Sequence, residues 1–421
     1  MNLAEPRISL YNFPKIIIFT TLLPLTECPV SRLVLVLIFI MLELQMSWKK
    51  ILGHTVTSVQ ELEQYISFTA EEKSQLEEIA GIHPIRITKH VLELMDKNDP
   101  EDPIRKMYLP SLDELDLSGA YDTSGEADNT VASGLQHKYD PTALLLSTNV
   151  CAVYCRYCFR KRMVGISNDE VLSRFDDAIA YIGSHTEISN VLITGGDAFM
   201  LETSTIRSFL ERLAEIPHLK YIRFGTKTLT SLPQRITEDK ELIRLFREHN
   251  EAGKPRIYVF THINHPREIV PETVESVNLL NSAGVNVSCQ SVLLKGVNDS
   301  PEILIELMDS LVAAGIIPYY LFQCRPVKRV QKSFQLPIPE GLNIVEEAKK
   351  NLSGMAKRFK FAMSHKIGKI EIIGQMNNEI IFKLHNAGDT GQTGRLFTLD
   401  AGETGGWLPQ NFALEREMAE A

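Results

Sequence analysis

The stretch NVCAVYCRYCFRKRMVG, residues 149–165, places three of the chain's six cysteines within eight residues and follows them with three basic residues. Cys151, Cys155 and Cys158 have the spacing C-x3-C-x2-C. Thiolates are soft ligands that favour zinc or iron–sulfur clusters. Structural zinc usually takes four ligands, and no fourth Cys or His lies nearby in the sequence. Three thiolates can instead hold three irons of a [4Fe–4S] cube and leave the fourth iron open. We favour this interpretation over structural zinc or buried thiols.

The composition is ordinary for a globular enzyme and argues against some other classes of protein. The 421 residues suggest two or three domains, or one large barrel with extensions. Apolar residues make up 44% of the chain and charged residues 23%, as in most globular domains. The net charge of −9 argues against a nucleic-acid-binding protein, which is usually basic. Few, clustered cysteines argue against a disulfide framework and predict a cytoplasmic location.

The first 45 residues differ from the rest. Residues 16–42 are strongly apolar, but their longest uninterrupted run, Leu33–Leu42, is about half of the roughly 20 residues that a membrane-spanning helix needs. No small-residue cleavage site of the kind that ends a signal peptide follows them. From Met46 onwards the sequence reads like the start of a soluble protein. We expect residues 1–45 to be an extension that is not natively translated, with a membrane anchor or a packed segment as alternatives.

Short apolar runs alternate with amphipathic stretches from residue 143 onwards. The runs predict six strands, at residues 143–150, 190–195, 221–226, 256–262, 285–294 and 316–324. Helical patterns separate them, at residues 169–183, 205–216, 238–250, 271–284 and 302–315. This alternation is typical of parallel strands joined by crossover helices. It predicts an α/β fold, an incomplete (β/α)6 TIM-like barrel, with a doubly wound open sheet as the alternative.

Three regions follow the extension in this interpretation. Residues 46–140 are mostly helical in pattern, and residues 141–325 form the partial barrel. Residues 326–421 form a C-terminal region with a helix and strand-like runs. We find no internal repeat beyond the β/α alternation, so the chain is predicted to have one barrel flanked by two smaller regions.

Unusual polar residues lie at the ends of several predicted strands. In β/α barrels the C-terminal ends of the strands carry the active site. We therefore expect these residues to share one site. They are Cys151 after the first strand, Gly195, Gly196 and Asp197 after the second, His262 and His265 after the fourth, and Gln290 near the end of the fifth.

The cysteine motif also carries a family resemblance. With Tyr157 just before the last cysteine, at the end of a first barrel strand, it resembles the motif of radical S-adenosylmethionine (SAM) enzymes. The turn Gly195–Gly196–Asp197 resembles that superfamily's motif for the SAM amino group, and exposed amides at such a turn can form a polar binding nest. The two motifs together imply a [4Fe–4S] cluster on the three cysteines, with SAM bound at the open iron.

A narrower resemblance covers most of residues 80–385. The segments DPEDPIRKMYLPSLDEL, HKYDPTALLL, LITGGDAF, THINHPREI, QSVLLKGVNDS and PYYLFQC are together similar to the lysine 2,3-aminomutase family. That family includes free-lysine and glutamate aminomutases, and enzymes that act on a lysine used to modify elongation factor P. The resemblance implies pyridoxal 5′-phosphate (PLP) bound to a lysine. Lys369, in MSHKIGKIEIIG, matches best, and Lys366 is a near alternative.

The resemblance also implies roles for residues around PLP. Lys138 and Tyr139 match residues near the PLP phosphate, whereas Thr142 does not keep the charge of a family arginine. Gln290 is expected to contact SAM or substrate, as are the two histidines after the fourth strand. Ala362 stands where the free-lysine enzymes have a second aspartate, which leaves selectivity for lysine open.

Two further residues match substrate-binding positions. Arg160 matches the arginine that holds the substrate α-carboxylate, and a guanidinium suits that group because it forms two parallel hydrogen bonds. The alternative is that Arg160, Lys161 and Arg162 form a solvated basic run or balance the charge of the cluster. Asp299 matches an aspartate that pairs with the substrate's side-chain ammonium, and otherwise it is a turn residue or helix cap.

The implied function is a radical SAM, PLP-dependent amino acid 2,3-aminomutase, an isomerase. A 5′-deoxyadenosyl radical would abstract hydrogen and the amino group would migrate from Cα to Cβ, most simply converting L-lysine to β-lysine. Alternative substrates are glutamate, another amino acid, or a lysine used to modify elongation factor P. The alternative from another class is a non-catalytic iron–sulfur or zinc protein. The resemblance further implies a reductant such as flavodoxin or ferredoxin, a homo-oligomer and no nucleic-acid partner.

Overall fold

The computed structural model describes residues 47–166, 169–251, 253–409 and 411–412. The expectation that residues 1–45 are a non-native extension lies outside the described residues. The described residues from Ile51 onwards belong to one compact unit. The division into regions 46–140, 141–325 and 326–421 stays a prediction. Within the described ranges, none of the helices has both the length and the apolar character that crossing a membrane requires.

The fold is built from a twelve-stranded sheet and the helices that connect its strands. The strands are β1 Thr130–Ala132, β2 Leu135–Tyr139, β3 Thr142–Thr148, β4 Asn190–Gly195, β5 Tyr221–Thr226, β6 Arg256–Thr261, β7 Asn286–Leu293, β8 Ile317–Gln323, β9 Lys360–His365, β10 Gly368–Met376, β11 Glu379–Ala387 and β12 Leu396–Asp400. The helices are α1 Ser47–Leu52, α2 Val59–Leu62, α3 Ala70–Ile82, α4 Lys89–Leu94, α5 Pro103–Tyr108, α6 Phe175–Ser184, α7 Thr203–Ala214, α8 Thr228–Ser231, α9 Gln234–Thr237, α10 Lys240–His249, α11 Pro271–Ser282, α12 Pro301–Ala313, α13 Gln331–Phe334 and α14 Ile338–Asn351.

The strand order decides between the two predicted architectures. Neighbours in the sheet follow chain order from β1 to β12, and strands β3 to β8 are all parallel. A doubly wound sheet reverses its strand order at a switch point, and this sheet does not. Because parallel crossovers share one hand, an unreversed order winds the strands in one direction. The incomplete (β/α)6 barrel is therefore confirmed, and the doubly wound alternative is wrong.

Antiparallel strands extend the barrel at both edges, and most of them were not predicted. The hairpin β1–β2 joins β3, within a region that was predicted to be mostly helical. After β9, which is parallel to β8, the strands β10 to β12 are antiparallel. Two of these, β10 and β11, match the predicted strand-like runs. The added strands bring C-terminal residues alongside the barrel interior.

Alternation along the strands separates the core from the cavity. In β5, Ile222 and Phe224 are fully buried in the main hydrophobic cluster, whereas Tyr221, Arg223 and Gly225 line the barrel interior. Successive residues of a strand point to opposite faces, so one face packs on the helices and the other faces inward. The interior face of the partial barrel is therefore the place to look for a site.

Candidate active site

A cavity of about 530 Å³ lies inside the partial barrel. Its walls come from the inward faces of β3 to β8, the cysteine loop, β2 and β10. Most of the predicted site residues line it, although they come from widely separated parts of the chain. They are Lys138, Tyr139, Cys151, Cys155, Tyr157, Cys158, Arg160, Gly195, Gly196, Asp197, His262, Gln290 and Lys369.

The three cysteines of the motif lie on the loop that follows β3. The loop backbone is held by hydrogen bonds from Tyr154 N to Arg86 O (2.9 Å) and from Cys158 N to Cys155 O (3.2 Å). Burial raises the pKa of the Cys155 thiol to about 12 and raises that of Cys158, so a bound cation is needed to keep them as thiolates. Among the described residues, no three His, Cys, Asp or Glu side chains stand close enough together to hold one metal ion. In a [4Fe–4S] cube each thiolate binds a different iron, so the sulfurs need not converge on one point.

The basic residues around the cysteines anchor this loop. Arg156 donates to Glu114 (Nε to Oε1, 2.7 Å), and Lys161 donates to the same carboxylate (2.7 Å). All three side chains are buried. Burial tends to raise the pKa of Glu114, but the two cations outweigh it and leave that pKa below its usual value. The cysteine loop is therefore held to the segment that contains Glu114 by a buried cluster of three charged side chains. The alternative that the basic residues form a solvated run is wrong.

Removing the carboxylate of this triad should destabilise the fold. We expect Glu114→Gln to lower the free energy of unfolding by about 3–5 kcal/mol, because two buried cations lose their counter-charge. Chemical denaturation followed by circular dichroism measures this. The control is Asp113→Asn, whose carboxylate pairs with Lys332 (3.1 Å) between side chains that are 43% and 55% exposed. It should cost less than about 1 kcal/mol. Equal losses in the two variants would contradict the anchoring role.

The turn after β4 requires glycine at two positions. Gly195 has a φ of 124°, and a Cβ there would lie 2.3 Å from the carbonyl oxygen of Thr148. A Cβ on Gly196 would lie 2.4 Å from the carbonyl oxygen of Val150. Backbone of β4 can therefore approach the start of the cysteine loop closely only because both side chains are absent.

Asp197, the third residue of that turn, holds the end of β5. Its carboxylate accepts hydrogen bonds from Thr226 Oγ1 (2.6 Å), Lys227 N (2.6 Å) and Phe199 N (3.0 Å). Burial raises the pKa of this carboxyl. Although Asp197 lines the cavity, its oxygens are already used within the protein, so it acts here by joining two strand ends. The predicted contact with SAM stays a prediction.

Arg160 lies between the cysteine loop and the glycine turn. Its Nε and Nη2 donate to Glu126 Oε1 (3.3 and 3.2 Å), and its Nη1 donates to the carbonyl oxygen of Gly195 (3.3 Å). The guanidinium also lies over the ring of Phe159, 4.7 Å from its centre. Arg160 is thus buried and oriented toward the cavity. Sequence reasoning missed Glu126, which lies in a stretch that reads as a polar loop.

Lys369 is the second residue of β10 and lines the cavity, whereas Lys366 does not. Lys366 is 54% exposed and pairs with Asp128 (2.9 Å). Lys369 Nζ lies 4.3 Å from the centre of the Tyr320 ring, and none of the hydrogen bonds among the described residues involves it. Burial, with the charges of Arg223, Arg325 and Lys138, lowers the pKa of Lys369 to about 7. A partly neutral amine at the cavity wall is chemically able to attack a carbonyl.

The backbone places Lys369 in this position. A Cβ on the preceding Gly368, which has a φ of 153°, would lie 2.1 Å from the carbonyl oxygen of Asn386. Only glycine fits there, so the chain can turn from β9 into β10 with Lys369 paired between Ser364 and Asn386. The lysine is therefore held by strand pairing on both sides.

Lys138 and Tyr139 reach the cavity from β2. Lys138 Nζ donates to the carbonyl oxygens of Ser124 (2.9 Å) and His365 (2.8 Å), and burial lowers its pKa to about 8. Burial raises the pKa of Tyr139 to about 12. Thr142 also lines the cavity, with its hydroxyl near the side chain of Asn190. Their predicted place beside a PLP phosphate stays a prediction.

Two predicted residues do not reach the cavity. Asp299 accepts a hydrogen bond from Gly296 N (2.8 Å) in the turn before α12. The alternative that Asp299 is a turn residue therefore fits its position. Its side chain does not line the cavity, so the expected contact with the substrate ammonium group is not supported. His265 accepts a hydrogen bond from Arg267 N (3.2 Å) and caps a short helical turn at Pro266–Glu268. Both side chains therefore satisfy backbone groups of nearby turns, Asp299 at the end of one turn and His265 at the start of another.

His262, unlike His265, lies at the cavity wall. It stacks on Tyr157 with ring centres 5.5 Å apart. Burial, with the nearby charge of Lys227, lowers the pKa of His262 to about 3. Lys227 itself is paired with Glu268 (2.5 Å), a buried pair that sequence reasoning missed because its partners lie on different strand ends. His262 is thus a neutral aromatic wall beside the cysteine loop.

Two further arginines line the cavity and were not singled out from the sequence. Arg325 follows β8, donates to Ser124 Oγ (2.8 Å) and stacks over Phe159, 4.2 Å from the ring centre. Arg223 projects inward from β5, and its buried Nε has no hydrogen-bond partner among the described residues. No local motif marks either residue, since Arg223 sits in an apolar strand and Arg325 in a loop.

The residues present fit the groups that the motifs imply. Three thiols on one buried loop are a suitable donor set for an iron–sulfur cluster. Lys369, with no hydrogen-bond partner and a pKa near 7, fits a lysine that binds PLP covalently. Both donor sets open into the same cavity, so two cofactors could act on one substrate there.

Comparison with known proteins points to the same chemistry. The Radical SAM superfamily matches residues 145–308. A provisionally named L-lysine 2,3-aminomutase of Aquifex aeolicus is 39% identical over 338 residues, which cover 80% of this chain and 90% of that protein. The L-lysine 2,3-aminomutase of Clostridium subterminale is 36% identical, covering 73% of each chain. The glutamate 2,3-aminomutase of Clostridioides difficile is 35% identical, covering 74% of this chain and 72% of that protein.

Proposed function

We propose that this chain, which belongs to the lysine 2,3-aminomutase family of radical SAM isomerases, moves the amino group of an amino acid from Cα to Cβ. The observation that carries the proposal is the shared cavity. It is lined by the three cysteines at one side and by Lys369 and Arg160 at others. One substrate can therefore meet the radical source, the PLP lysine and a carboxylate-binding guanidinium together.

The family uses a [4Fe–4S] cluster, SAM and PLP. When bound, the cluster and SAM supply a 5′-deoxyadenosyl radical, and PLP supplies a conjugated ring that stabilises the migrating amino group. In this chain Cys151, Cys155 and Cys158 would hold the cluster. Tyr157, Gln290 and the glycine turn would contact SAM, and Lys369 would hold PLP.

The chain's own residues bind and orient the substrate. Arg160 would bind the α-carboxylate, and Glu126, which accepts hydrogen bonds from its guanidinium, would orient it until substrate enters. Lys369, with a pKa near 7, can exchange its proton near neutral pH. The aromatic rings of Tyr157, His262 and Tyr320 help to exclude water from the cavity.

L-lysine is the first substrate to test, since two of the relatives described above are named for it. The protein from Met46, reconstituted without oxygen with iron, sulfide and PLP, should form β-lysine and 5′-deoxyadenosine from L-lysine, SAM and dithionite. Mass spectrometry measures both products. If SAM is cleaved but neither lysine nor any other free amino acid is isomerised, the proposed reaction is wrong.

A specific observation favours glutamate as a second candidate. Of the carboxylates that line the cavity, Glu126 pairs with Arg160 and Asp197 is satisfied by three donors, so neither is free to receive an ammonium group. Arg325 instead brings a buried cation to the cavity wall. A substrate with an acidic side chain would meet a complementary charge there. A higher kcat/KM for glutamate than for lysine would select this candidate.

The lowered pKa of Lys369 gives a testable pH dependence. The neutral amine is the form that attacks PLP, so the rate of covalent PLP binding should rise with pH, be half-maximal near pH 7 and level off above about pH 8. An ordinary lysine, with a pKa near 10.4, would keep gaining about tenfold per pH unit up to about pH 10. Stopped-flow absorbance measures the rate, and a continued rise between about pH 8 and pH 10 would show that the pKa is not lowered.

The remaining features of the proposal concern the protein's surroundings. We propose a cytoplasmic homo-oligomer that receives electrons from flavodoxin or ferredoxin. The support is the family membership, whose chemistry needs a one-electron reductant. Size-exclusion chromatography with light scattering tests the oligomer, and replacement of dithionite by reduced flavodoxin tests the donor.

A further inference from the structure

Arg223 is a guanidinium inside the partial barrel. It stands in register with Leu192 of β4 and Tyr258 of β6, on the face that lines the cavity. Barrel interiors at this depth are usually filled by branched apolar side chains. Among the described residues, no hydrogen bond or ion pair involves the Arg223 side chain, and its Nε is buried without a partner. The Arg223 guanidinium lies over the ring of Phe260, whose centre is 5.6 Å away.

Three guanidiniums that are buried more deeply than that of Arg223 are each paired with a carboxylate. Arg156 pairs with Glu114, Arg160 with Glu126, and Arg235 with Asp239. A guanidinium keeps its charge at any physiological pH, and an unpaired buried charge is costly. A counter-charge that is not part of the described chain would remove this cost, so the position of Arg223 points to a bound anion.

The surroundings of Arg223 indicate where that anion sits. Arg223 is the charge that most depresses the pKa of Lys369 after burial itself, so the two side chains face the same part of the cavity. Polar groups of Thr142, Asn190 and Tyr221 line the same end and stand in register across β3, β4 and β5. Arg223 is three residues before the last residue of β5, which places it about 10 Å deeper than the strand end.

We propose that Arg223 binds the phosphate group of PLP held at Lys369. This inference rests on the proposed function, because it requires PLP at that lysine. A PLP whose reacting carbon faced the cysteine loop at the strand ends would leave its phosphate arm free to reach the deeper end, where Arg223 lies. The substrate α-carboxylate already has Arg160. A guanidinium suits a phosphate because its planar fork can donate two parallel charge-assisted hydrogen bonds to two phosphate oxygens.

Comparison of PLP with pyridoxal, which lacks the phosphate, tests the proposal without relying on activity. Each is titrated into the cluster-loaded protein, and Kd is read from the visible absorption of the lysine adduct. Arg223→Met should raise the Kd for PLP by about 10- to 100-fold, because a charge-assisted pair is lost. The Kd for pyridoxal should change by less than about 3-fold. The Kd of Arg223→Lys for PLP should lie between those of the wild type and Arg223→Met, because lysine keeps the positive charge but cannot donate two parallel hydrogen bonds.

The outcomes separate this inference from its rivals. Arg256→Met, an exposed arginine on the neighbouring strand, is the matched control and should leave both Kd values unchanged. Equal weakening of PLP and pyridoxal would overturn the proposal in favour of a structural role. An unchanged Kd for PLP with a raised KM for the amino acid would overturn it in favour of a substrate acid. Failure of the wild type to form an adduct with either aldehyde would refute the proposed PLP function itself.

Discussion

Lys369→Ala protein should bind iron and cleave SAM, yet lose the visible absorption of bound PLP and form no β-amino acid. The reason is that Lys369 is the one lysine of β10 and its flanking turn whose amine lies at the cavity wall with a lowered pKa. Turnover should fall by about 10³-fold or more, the order seen when a residue that bonds covalently is removed. Absorption spectra and product analysis by mass spectrometry measure the two losses.

The matched control is Lys366→Ala, three residues earlier. Lys366 is exposed and holds Asp128 at the surface, so its removal should leave the PLP spectrum and turnover within about 2-fold of wild type. Retained PLP absorption in Lys369→Ala, with loss in Lys366→Ala, would reverse the assignment. Loss of PLP absorption in both variants would contradict the assignment of Lys369 as the one lysine that binds PLP.

Cys155→Ser should abolish the cluster and with it SAM cleavage. A serine oxygen is a hard ligand that binds iron poorly compared with thiolate. The site also stabilises a charged ligand atom poorly without a bound cation, since burial already raises the pKa of the Cys155 thiol to about 12. Iron should fall from about four per chain to about one or less, as colorimetric iron and sulfide analysis would show.

The control for this variant is Cys289→Ala. Cys289 is fully buried on β7, hydrogen-bonds toward Ile263 and Ser291, and does not line the cavity. Its replacement should lower stability slightly but leave iron and SAM cleavage unchanged. Four irons retained in Cys155→Ser would show that the loop motif does not hold the cluster.

Much of the fold followed from local patterns in the sequence. The alternation of short apolar runs with amphipathic stretches predicted the six strands β3 to β8, because each pattern lies within one element. The hairpin β1–β2 escaped prediction because its strands have only three and five residues. Such short edge strands form through pairing with β3, which is a tertiary effect that local propensity does not carry.

The candidate site, like the fold, could be predicted from the sequence only in part. Cysteines, glycines and Lys369 stand in motifs whose spacing is visible in one stretch of sequence. Arg160 and Glu126 are 34 residues apart, and their pairing depends on how a polar loop folds back over the barrel. Asp299 was chosen from a motif, but the tight turn at Gly296 uses its carboxylate locally. Residues whose roles depend on long-range packing, such as Arg223, could not be recognised before the fold was known.

The central claim is that one cavity brings the radical source and the PLP lysine to the same substrate. The most direct measurement uses L-lysine and L-glutamate, each carrying deuterium at Cβ, with reconstituted protein, SAM and dithionite under anaerobic conditions. Mass spectrometry of the 5′-deoxyadenosine and of the amino acids gives the answer. The account predicts deuterium in 5′-deoxyadenosine together with a β-amino acid from one of the two. Deuterium-free 5′-deoxyadenosine and no β-amino acid from either substrate would contradict it.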